Sequence, residues 1–349
     1  MTKRLSFFRL LAITIFAFAL GMALNTLEPA VLNHKVLQLV PGRAATALGF
    51  TTFAGLIVAS LVQPIAGVFS DRTRTRWGRR LPYFVAGTLG VTFCLYLIAM
   101  APAWGVVVLG ILLFQVFSNV VQGPWQALIP DKVPEFQRGR AASIKGLFEI
   151  IAALAGGYAA GSVVAQAGNW GEAAVIAAVS MPVVAYLIAL TTTAIGAREG
   201  PEAADQAPQR SIGEALAKTF YVDFRSYPAF GWWFANRMLF WAGLLMLRTF
   251  LLLFVVDVIG MEEAAAQSYV ARLNVVLGVA LLLVMIPTGW VSDRIGRKPL
   301  VAASGLVAGI GALVILLTTN PTLITIAGAV VGLGVGVFIS ANWALVTDI

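Results

Sequence analysis

Charged and amide side chains occur at several positions inside long apolar stretches of this chain. Such placements are costly in a membrane, so each is a candidate functional group. A carboxylate in a cavity of low dielectric constant can take up and release a proton, and amides beside aromatic rings suit hydroxyl-rich ligands such as sugars. The predicted chemistry is the binding of a polar solute together with proton exchange, carried by Asn25, Glu28, Asn119, Gln122, Gln126, Glu149, Asn236, Arg237 and Arg248.

Most of these residues also have a simpler structural interpretation. Glu149 can do no more than pair with Lys145, which lies one helical turn earlier. Arg237 can extend to the membrane surface, Glu28 can lie at the interface, and the amides can bond between helices. Arg248 lies near mid-membrane, which favours a cavity role or an intramembrane ion pair. Arg237 and Arg248 are 11 residues apart, about three turns, and so share one helix face.

A short arginine-rich loop follows two of the apolar stretches, at residues 67–80 and 289–298. Its glycines would allow a neighbouring helix to approach closely, and its aspartates can accept hydrogen bonds or pair with arginines at a helix end. The repeated Gly-to-Asp spacing favours a gating loop over a simple orientation signal. The predicted gating residues are Gly67, Asp71, Arg72, Gly78, Arg79, Gly289, Asp293, Arg294 and Arg297.

The composition places the chain among membrane proteins. Hydrophobic residues make up 59% and charged residues 11%, and the mean hydropathy is +0.88, whereas a soluble domain carries roughly a quarter charged residues. The net charge of +8 does not indicate nucleic-acid binding, because the basic residues cluster in alternate loops. A single cysteine, Cys94, excludes a disulfide within one chain. Since motifs for hydrolases, zinc enzymes and nucleotide binding are missing, we expect no enzyme activity, metal or cofactor.

Ten apolar segments are long enough to cross a bilayer as helices. Of the 24 lysines and arginines, 19 fall on one side, in alternate loops or at the ends of the adjoining spans, whereas the other side holds Lys35, Arg43 and, as a further candidate, Arg272. This asymmetry predicts a cytoplasmic N-terminus in the plasma (inner) membrane. Closely spaced glycines, including Gly156, Gly334 and Gly336, predict tight helix packing. The predicted segments are 7–33, 45–69, 81–101, 105–129, 141–164, 172–196, 230–256, 268–291, 299–318 and 322–346.

The second half of the chain repeats the first half in the same order. Asp71 and Asp293 are offset by 222 residues, and Asp131 and Asp348 by 217. Two copies with the same in/out sense predict a parallel repeat. We expect a six-helix bundle at 1–196, a cytoplasmic linker with an amphipathic helix at 197–229, and an incomplete bundle of four helices at 230–349. By this correspondence the second half lacks two helices, which favours a truncated product of a longer chain.

These loops and spans resemble the major facilitator superfamily, whose best-known signature is a Gly-x-x-x-Asp-Arg-x-Gly-Arg-Arg loop after spans two and eight. The expanded form at residues 72–82 looks most like the glycoside–pentoside–hexuronide and sucrose-transporter branch. The resemblance implies an all-α membrane protein with two pseudo-symmetric helical bundles, the second truncated, around a central cavity. It also implies alternating access by rocking of the halves. Residues 45–69 contain no acid, unlike the sodium-coupled melibiose-type members.

We therefore expect a monomeric secondary active transporter for a small polar solute, such as a sugar or glycoside, coupled to protons. The alternatives are a non-transporting protein of the same fold, acting as an assembly factor or receptor, and an inactive fragment. The expected partners are the solute, protons and the lipid bilayer, and nucleic acid is not among them. Glu28 and Arg248 favour transport, because a purely structural bundle would tend to avoid charges inside the membrane.

Overall fold

The computed structural model describes residues 4–196, 213–214 and 225–346. Regular structure in these residues is helical throughout, and ten helical segments are long and apolar enough to cross a membrane. The ten predicted spans are therefore confirmed, and the chain is an integral membrane protein. The predicted amphipathic helix of the linker lies outside the described residues, apart from 213–214.

The spans are numbered one to ten in chain order. Spans one and five each contain a π-helical segment, a turn in which the backbone hydrogen bond skips one extra residue. Span one consists of Phe7–Thr14, Phe16–Thr26, the π segment Leu27–Leu32 and Asn33–Leu39. Span five consists of Glu135–Ala155, the π segment Gly156–Ala160 and Gly161–Val164. The others are Ala44–Arg72, Leu81–Ala99, Trp104–Lys132, Glu172–Gly196, Pro228–Asp257, Glu263–Ile295, Arg297–Leu317 and Pro321–Val346.

The chain divides into two compact units, Met1–Val222 and Asp223–Ile349. In the first unit, span four packs against spans two and three, and span one packs against spans five and six. In the second unit, span ten packs against spans eight and nine. The arrangement of spans two to four is thus repeated in spans eight to ten.

Equivalent helix contacts occur at equivalent positions of the two units. A Cβ built on Gly55 of span two would lie 3.4 Å from the Gln115 side chain of span four. A Cβ on Gly332 of span ten would lie 3.0 Å from the Cα of Leu277 in span eight. Leu277 follows Gly55 by 222 residues and Gly332 follows Gln115 by 217, the same offsets as between the paired aspartates. This agreement supports the parallel repeat.

Glycine contacts bring the helices close together, as predicted. A Cβ on Gly156 would lie 2.9 Å from the carbonyl oxygen of Met22, and one on Gly336 would lie 2.6 Å from that of Leu281. Because real Cβ atoms do not approach backbone so closely, these positions admit no side chain without a shift of the helices.

Span one is longer than predicted, since it continues to Leu39 rather than ending near residue 33. The placement of Lys35 in an outer loop is therefore wrong. The helix passes Pro29 through the π segment, and the side-chain amide of Asn33 donates to the Glu28 carbonyl at 2.9 Å. Lys35 is 1% exposed, and its Nζ lies 3.8 Å from Oε1 of Glu172 on span six. Glu172 is remote from Lys35 in the sequence, but its carboxylate lies close enough in space to compensate the ammonium. A lysine, which is typical of loops, can therefore lie on a buried part of this helix.

Candidate functional site

Four amide side chains form a stripe along span four. Gln115, Asn119, Gln122 and Gln126 are spaced by four, three and four residues, which places them on one helix face. Asn119 is buried at 4% exposure, and its Nδ2 donates to the carbonyl of Gln115 at 2.8 Å. Gln122 is half-buried and Gln126 is exposed. The stripe therefore places amide donors and acceptors along about three turns of the helix.

Gln126 also links span four to span two. Nε2 of Gln63 donates to Oε1 of Gln126 at 3.0 Å. For Gln126, the interpretation of an amide bonding between helices is thus confirmed, whereas the amide of Asn119 bonds within its own helix. Gln63 and Gln115 are not among the residues that the sequence predicts for the site. The signal that could have found Gln115 is its heptad-like spacing to the three predicted amides.

The close approach of spans two and four is provided by Gly123, so the prediction that Gly67 provides it is wrong. A Cβ on Gly123 would lie 2.6 Å from the carbonyl oxygen of Gln63 and 3.2 Å from the backbone nitrogen of Gly67. A Cβ on Gly67 itself would meet nothing within 4 Å. Span four contacts the backbone of Gly67, but a side chain at Gly67 would point away from this contact. A side chain at Gly123 would point into it.

Glu28 and Asn25 lie where the π segments of spans one and five meet. Glu28 is half-buried within the π segment of span one. Nδ2 of Asn25 donates to the carbonyl of Gly21 at 2.6 Å, and a Cβ on Gly156 would lie 3.1 Å from the Asn25 Cβ. This carboxylate thus lies in an irregular turn of span one, and that turn packs against the irregular turn of span five. Such π-helical turns loosen the regular hydrogen-bond ladder and are frequent at functional sites.

Glu149 pairs with Lys145 on span five, as its spacing predicted, with Nζ and Oε1 3.1 Å apart. The same ammonium lies 5.8 Å from the ring centroid of Trp125 on span four. The indole of Trp125 in turn donates to the carbonyl of Ile13 at 2.7 Å. This chain of contacts joins spans one, four and five beside the amide stripe.

An ion-pair cluster joins the first arginine-rich loop to the end of span four. Nη2 of Arg79 lies 3.0 Å from Oδ2 of Asp131, and Arg80 bonds the same oxygen. Nη2 of Arg80 also lies 3.5 Å from Oδ1 of Asp71. The Arg80 side chain is only 2% exposed, whereas Asp71 and Asp131 are 46% and 35% exposed. Two carboxylates thus compensate a buried guanidinium and its neighbour.

The cluster contains two of the predicted gating residues and two residues outside the predicted set. Asp71 and Arg79 belong to it, and Arg72 is half-buried in the last turn of span two. Arg80 and Asp131 are not among the predicted site residues, although Arg80 is the last residue of the first arginine-rich loop and Asp131 belongs to a repeated aspartate pair. The signal available was that Asp131, like Asp71, ends a span on the same predicted side of the membrane.

The two arginine-rich loops contain the same glycine turn. Gly78 has φ of 94° and Gly296 has φ of 91°, a left-handed conformation that side-chain-bearing residues rarely adopt. Each glycine directly precedes an arginine, at Arg79 and Arg297. In the second loop, Gly289, Asp293 and Arg294 lie in the helix of span eight, and Arg297 begins span nine. The side chains at these four positions lie outside the described part of the chain.

In the second unit, Arg237 joins spans seven and ten. Its Nη1 donates to Oδ1 of Asn342 at 3.1 Å, and its guanidinium carbon lies 5.6 Å from the ring centroid of Trp233. The Trp233 indole donates to the carbonyl of Asn342 at 3.1 Å. Arg237 therefore does more than extend to the membrane surface. Asn236 is exposed and Arg248 is half-buried on the same helix.

No group of three or more His, Cys, Asp or Glu residues is placed to hold a metal ion in the part of the chain that the structure describes. The polar groups present are amides, carboxylates, guanidinium groups and an ammonium beside indole rings. This set can bind hydroxyl or carboxylate groups and hold a proton.

Comparisons with known proteins place these features in context. The sequence model of the Major Facilitator Superfamily matches residues 5–349. Sucrose transport protein SUT4 of Oryza sativa subsp. indica is 32% identical over 104 residues, which cover 24% of this chain and 18% of that protein. An uncharacterized symporter of Synechocystis sp. is 30% identical over 126 residues, which cover 32% of this chain and 23% of that protein. The alignments thus span about a fifth of these relatives.

The fold is similar to that of solved transporters. A mutant of the nucleoside transporter NupG matches with a TM-score of 0.70 at 16% identity, over 97% of this chain and 83% of the other. A bacterial homologue of the human lysosomal transporter Spinster, in an inward-facing and unoccupied conformation, matches with a TM-score of 0.61 at 16% identity, over 98% and 76%. At this identity the likeness concerns the fold alone.

Proposed function

Because the chain belongs to the major facilitator superfamily, we propose that it is a secondary active transporter that moves a small polar solute by alternating access. The observation that carries this proposal is the concentration of polar groups inside the spans of the first unit. An amide stripe on span four and a carboxylate on span one would both be costly in a purely structural bundle. A solute pathway accounts for them together.

The solute we propose is a neutral, hydroxyl-rich molecule, in particular a sugar or glycoside. The amides of Asn119, Gln122 and Gln126 would exchange hydrogen bonds with hydroxyl groups, and the newly identified Gln63 and Gln115 would extend this surface. Aromatic rings and amides are the usual lining of such pockets. The names of the partial relatives, which include sucrose transport proteins, support the same class.

We propose that uptake is driven by protons through Glu28. This carboxylate is half-buried in a span, where neutralisation by a proton is less costly than holding a charge. The π segment around it would allow the helix to adjust when the charge changes. Glu149 is a weaker choice, because its side chain is exposed rather than half-buried. On span seven, Arg237, Arg248 and Asn236 are proposed to contribute to the solute pathway.

The ion-pair cluster of Asp71, Arg79, Arg80 and Asp131 is proposed to support the cytoplasmic gate. It holds the loop after span two against the end of span four, so that the loop moves with the helix rather than independently. The residues Gly289, Asp293, Arg294 and Arg297 would form the corresponding gate element of the second copy. Gly78 supplies the turn that brings Arg79 and Arg80 toward Asp131.

The membrane arrangement completes the proposal. We propose a monomer in the plasma (inner) membrane with a cytoplasmic N-terminus, since the positive charge of alternate loops favours that side. The bundles would be residues 1–196 and 230–349, joined by a cytoplasmic linker at 197–229. No cofactor is required, because proton and solute gradients would supply the free energy.

Counterflow in proteoliposomes tests this function. Purified full-length protein is loaded with an unlabelled sugar and given the same labelled sugar outside, and a panel of sugars and glycosides is screened. Transient accumulation of label is expected for at least one member. Glu28→Gln should retain this exchange but lose uptake driven by an imposed pH gradient, whereas Glu149→Gln should retain both. Absence of counterflow with every solute would instead favour a non-transporting receptor or assembly factor, or an inactive fragment.

A further inference from the structure

The first arginine-rich loop contains four residues more than the second. Seven positions separate Asp71 from Gly78, but only three separate Asp293 from Gly296. The difference corresponds to the sequence Thr-Arg-Thr-Arg at residues 73–76. Neither the proposed solute pathway nor the ion-pair cluster uses these residues, so the insertion calls for a separate explanation.

The two threonines of the insertion order the loop. Oγ1 of Thr73 lies 2.7 Å from the hydroxyl of Tyr83 and donates to the carbonyl of Phe69 at 3.0 Å. Oγ1 of Thr75 donates to the carbonyl of Gly78 at 2.6 Å, and the Gly78 amide donates to the Thr75 carbonyl at 3.0 Å. The insertion is therefore a defined turn with its threonines bonded to the protein.

The two arginines of the insertion are directed into solvent. Arg74 and Arg76 are exposed, and neither has an ion-pair partner among the described residues, since the carboxylates of the cluster pair with Arg79 and Arg80. Trp77 is 54% exposed beside them, and the Arg76 guanidinium carbon lies 5.5 Å from its ring centroid. Two cations and an indole thus form an outward patch on the first unit.

We propose that Arg74, Arg76 and Trp77 bind the headgroup of an anionic phospholipid. The patch follows the last turn of a span, which is the level at which tryptophan anchors proteins in the membrane interface. Guanidinium groups bond phosphate oxygens in pairs, and basic residues at this level attract anionic lipids. The assignment to the cytoplasmic leaflet rests on the membrane orientation given in the proposed function.

A simple orientation signal does not account for these observations. The shorter second loop already supplies three basic residues, Arg294, Arg297 and Lys298, so the insertion is not needed for topology. Orientation also requires no ordered turn and no tryptophan stacked under an arginine. A lipid headgroup uses the two charges, the indole and the fixed turn together.

Native mass spectrometry of the purified full-length protein tests this site. The protein in micelles is titrated with phosphatidylglycerol or with phosphatidylcholine of the same acyl chains, and bound lipids are counted. Each arginine should contribute about a fivefold gain in affinity for the anionic lipid. Arg74→Gln with Arg76→Gln should therefore weaken one phosphatidylglycerol site by about 25-fold without altering binding of phosphatidylcholine. Arg43→Gln, at an exposed arginine remote in sequence, is the matched control and should change neither.

Three results would overturn the proposal. The first is equal retention of phosphatidylglycerol by the double variant and the wild type, and the second is an equal loss in Arg43→Gln. The third is competition by glycerol 3-phosphate at the same concentration as the lipid, which would indicate a site for soluble phosphate. A double variant with altered counterflow but unchanged lipid retention would assign the arginines to gating instead. Since lipid binding is measured without transport, failure of the transport proposal leaves this test intact.

Discussion

Removal of the Asp131 carboxylate should destabilise the first unit more than removal of Asp71. Asp131→Asn takes the charge away from two arginines at once, of which Arg80 is 2% exposed and Arg79 18% exposed. After the change, the carboxylate that remains in the cluster is Asp71, whose oxygen lies 3.5 Å from the buried guanidinium of Arg80. A guanidinium that is removed from water without full compensation is the physical source of the cost.

The expected magnitudes follow from exposure. Breaking a buried ion pair by removing one partner costs roughly 3–5 kcal/mol, whereas an exposed pair contributes roughly 0–1 kcal/mol. Asp131 is 35% exposed, so Asp131→Asn should cost about 2 kcal/mol. Asp71 is 46% exposed and more distant, so Asp71→Asn should cost less than about 1 kcal/mol. Glu149→Gln, which breaks an exposed i,i+4 pair, should cost about 0.4 kcal/mol.

Reversible unfolding in mixed detergent micelles measures these differences as free energies of unfolding. Glu149→Gln is the matched control, because it makes the same carboxylate-to-amide change on another helix of the same unit. If the three variants lose the same free energy, the cluster is not centred on Asp131. If Asp71→Asn costs more than Asp131→Asn, Arg80 takes its main compensation from Asp71, and the reasoning from distance and exposure is refuted.

Gly123→Ala should lower the free energy of unfolding by about 2 kcal/mol, because the added methyl group overpacks the helix contact. Gly67→Ala should raise it by about 0.5 kcal/mol, since a Cβ at this position meets nothing within 4 Å. Equal effects in the same unfolding assay would refute the assignment of the contact to Gly123. Glu28→Gln should abolish uptake driven by a pH gradient and retain counterflow, and a variant that keeps gradient-driven uptake would exclude this carboxylate as the proton carrier. Lys35→Met should change the free energy of unfolding by less than about 1 kcal/mol, because methionine keeps the buried apolar part of the side chain and removes a buried charge. Lys35→Ala should lower it by about 2 kcal/mol or more, because it leaves a cavity. Equal losses in the two variants would show that the charge of Lys35, rather than its packing, stabilises the fold.

The fold was largely predictable because membrane spans are encoded locally. A helix that crosses a bilayer must be apolar for about 20 residues whatever its neighbours are, so all ten spans were found with boundaries within a few residues for most. The largest differences are at the starts of spans five and eight, which lie six and five residues before the predicted ones, and at the end of span one, which lies six residues beyond the predicted one. The polar residues of span one near Asn33 and Lys35 indicated a loop, but Glu172 of span six compensates the buried ammonium. No local pattern carries that information.

The candidate site was predictable by residue type and only partly by partner. The i,i+4 pair of Lys145 and Glu149 follows from helix geometry alone and was found. The bond between Gln63 and Gln126 joins residues 63 positions apart, and the contact of Arg237 with Asn342 joins residues 105 positions apart. Such pairs depend on which helix faces meet, which the sequence of one span cannot determine.

The sequence by itself determined that this chain is a duplicated helical membrane protein. Hydropathy, loop charge and the repeated aspartate offsets can all be read from the order of the residues, without knowledge of which helices pack together. The tertiary structure decided that Gly123 rather than Gly67 makes the helix contact. It also decided that Asp131 pairs with both Arg79 and Arg80, and that Arg74 and Arg76 are exposed at the surface. The physical reason is that these roles depend on distances between separate helices. A carboxylate can pair with only the few cations within its reach, and packing chooses which ones those are.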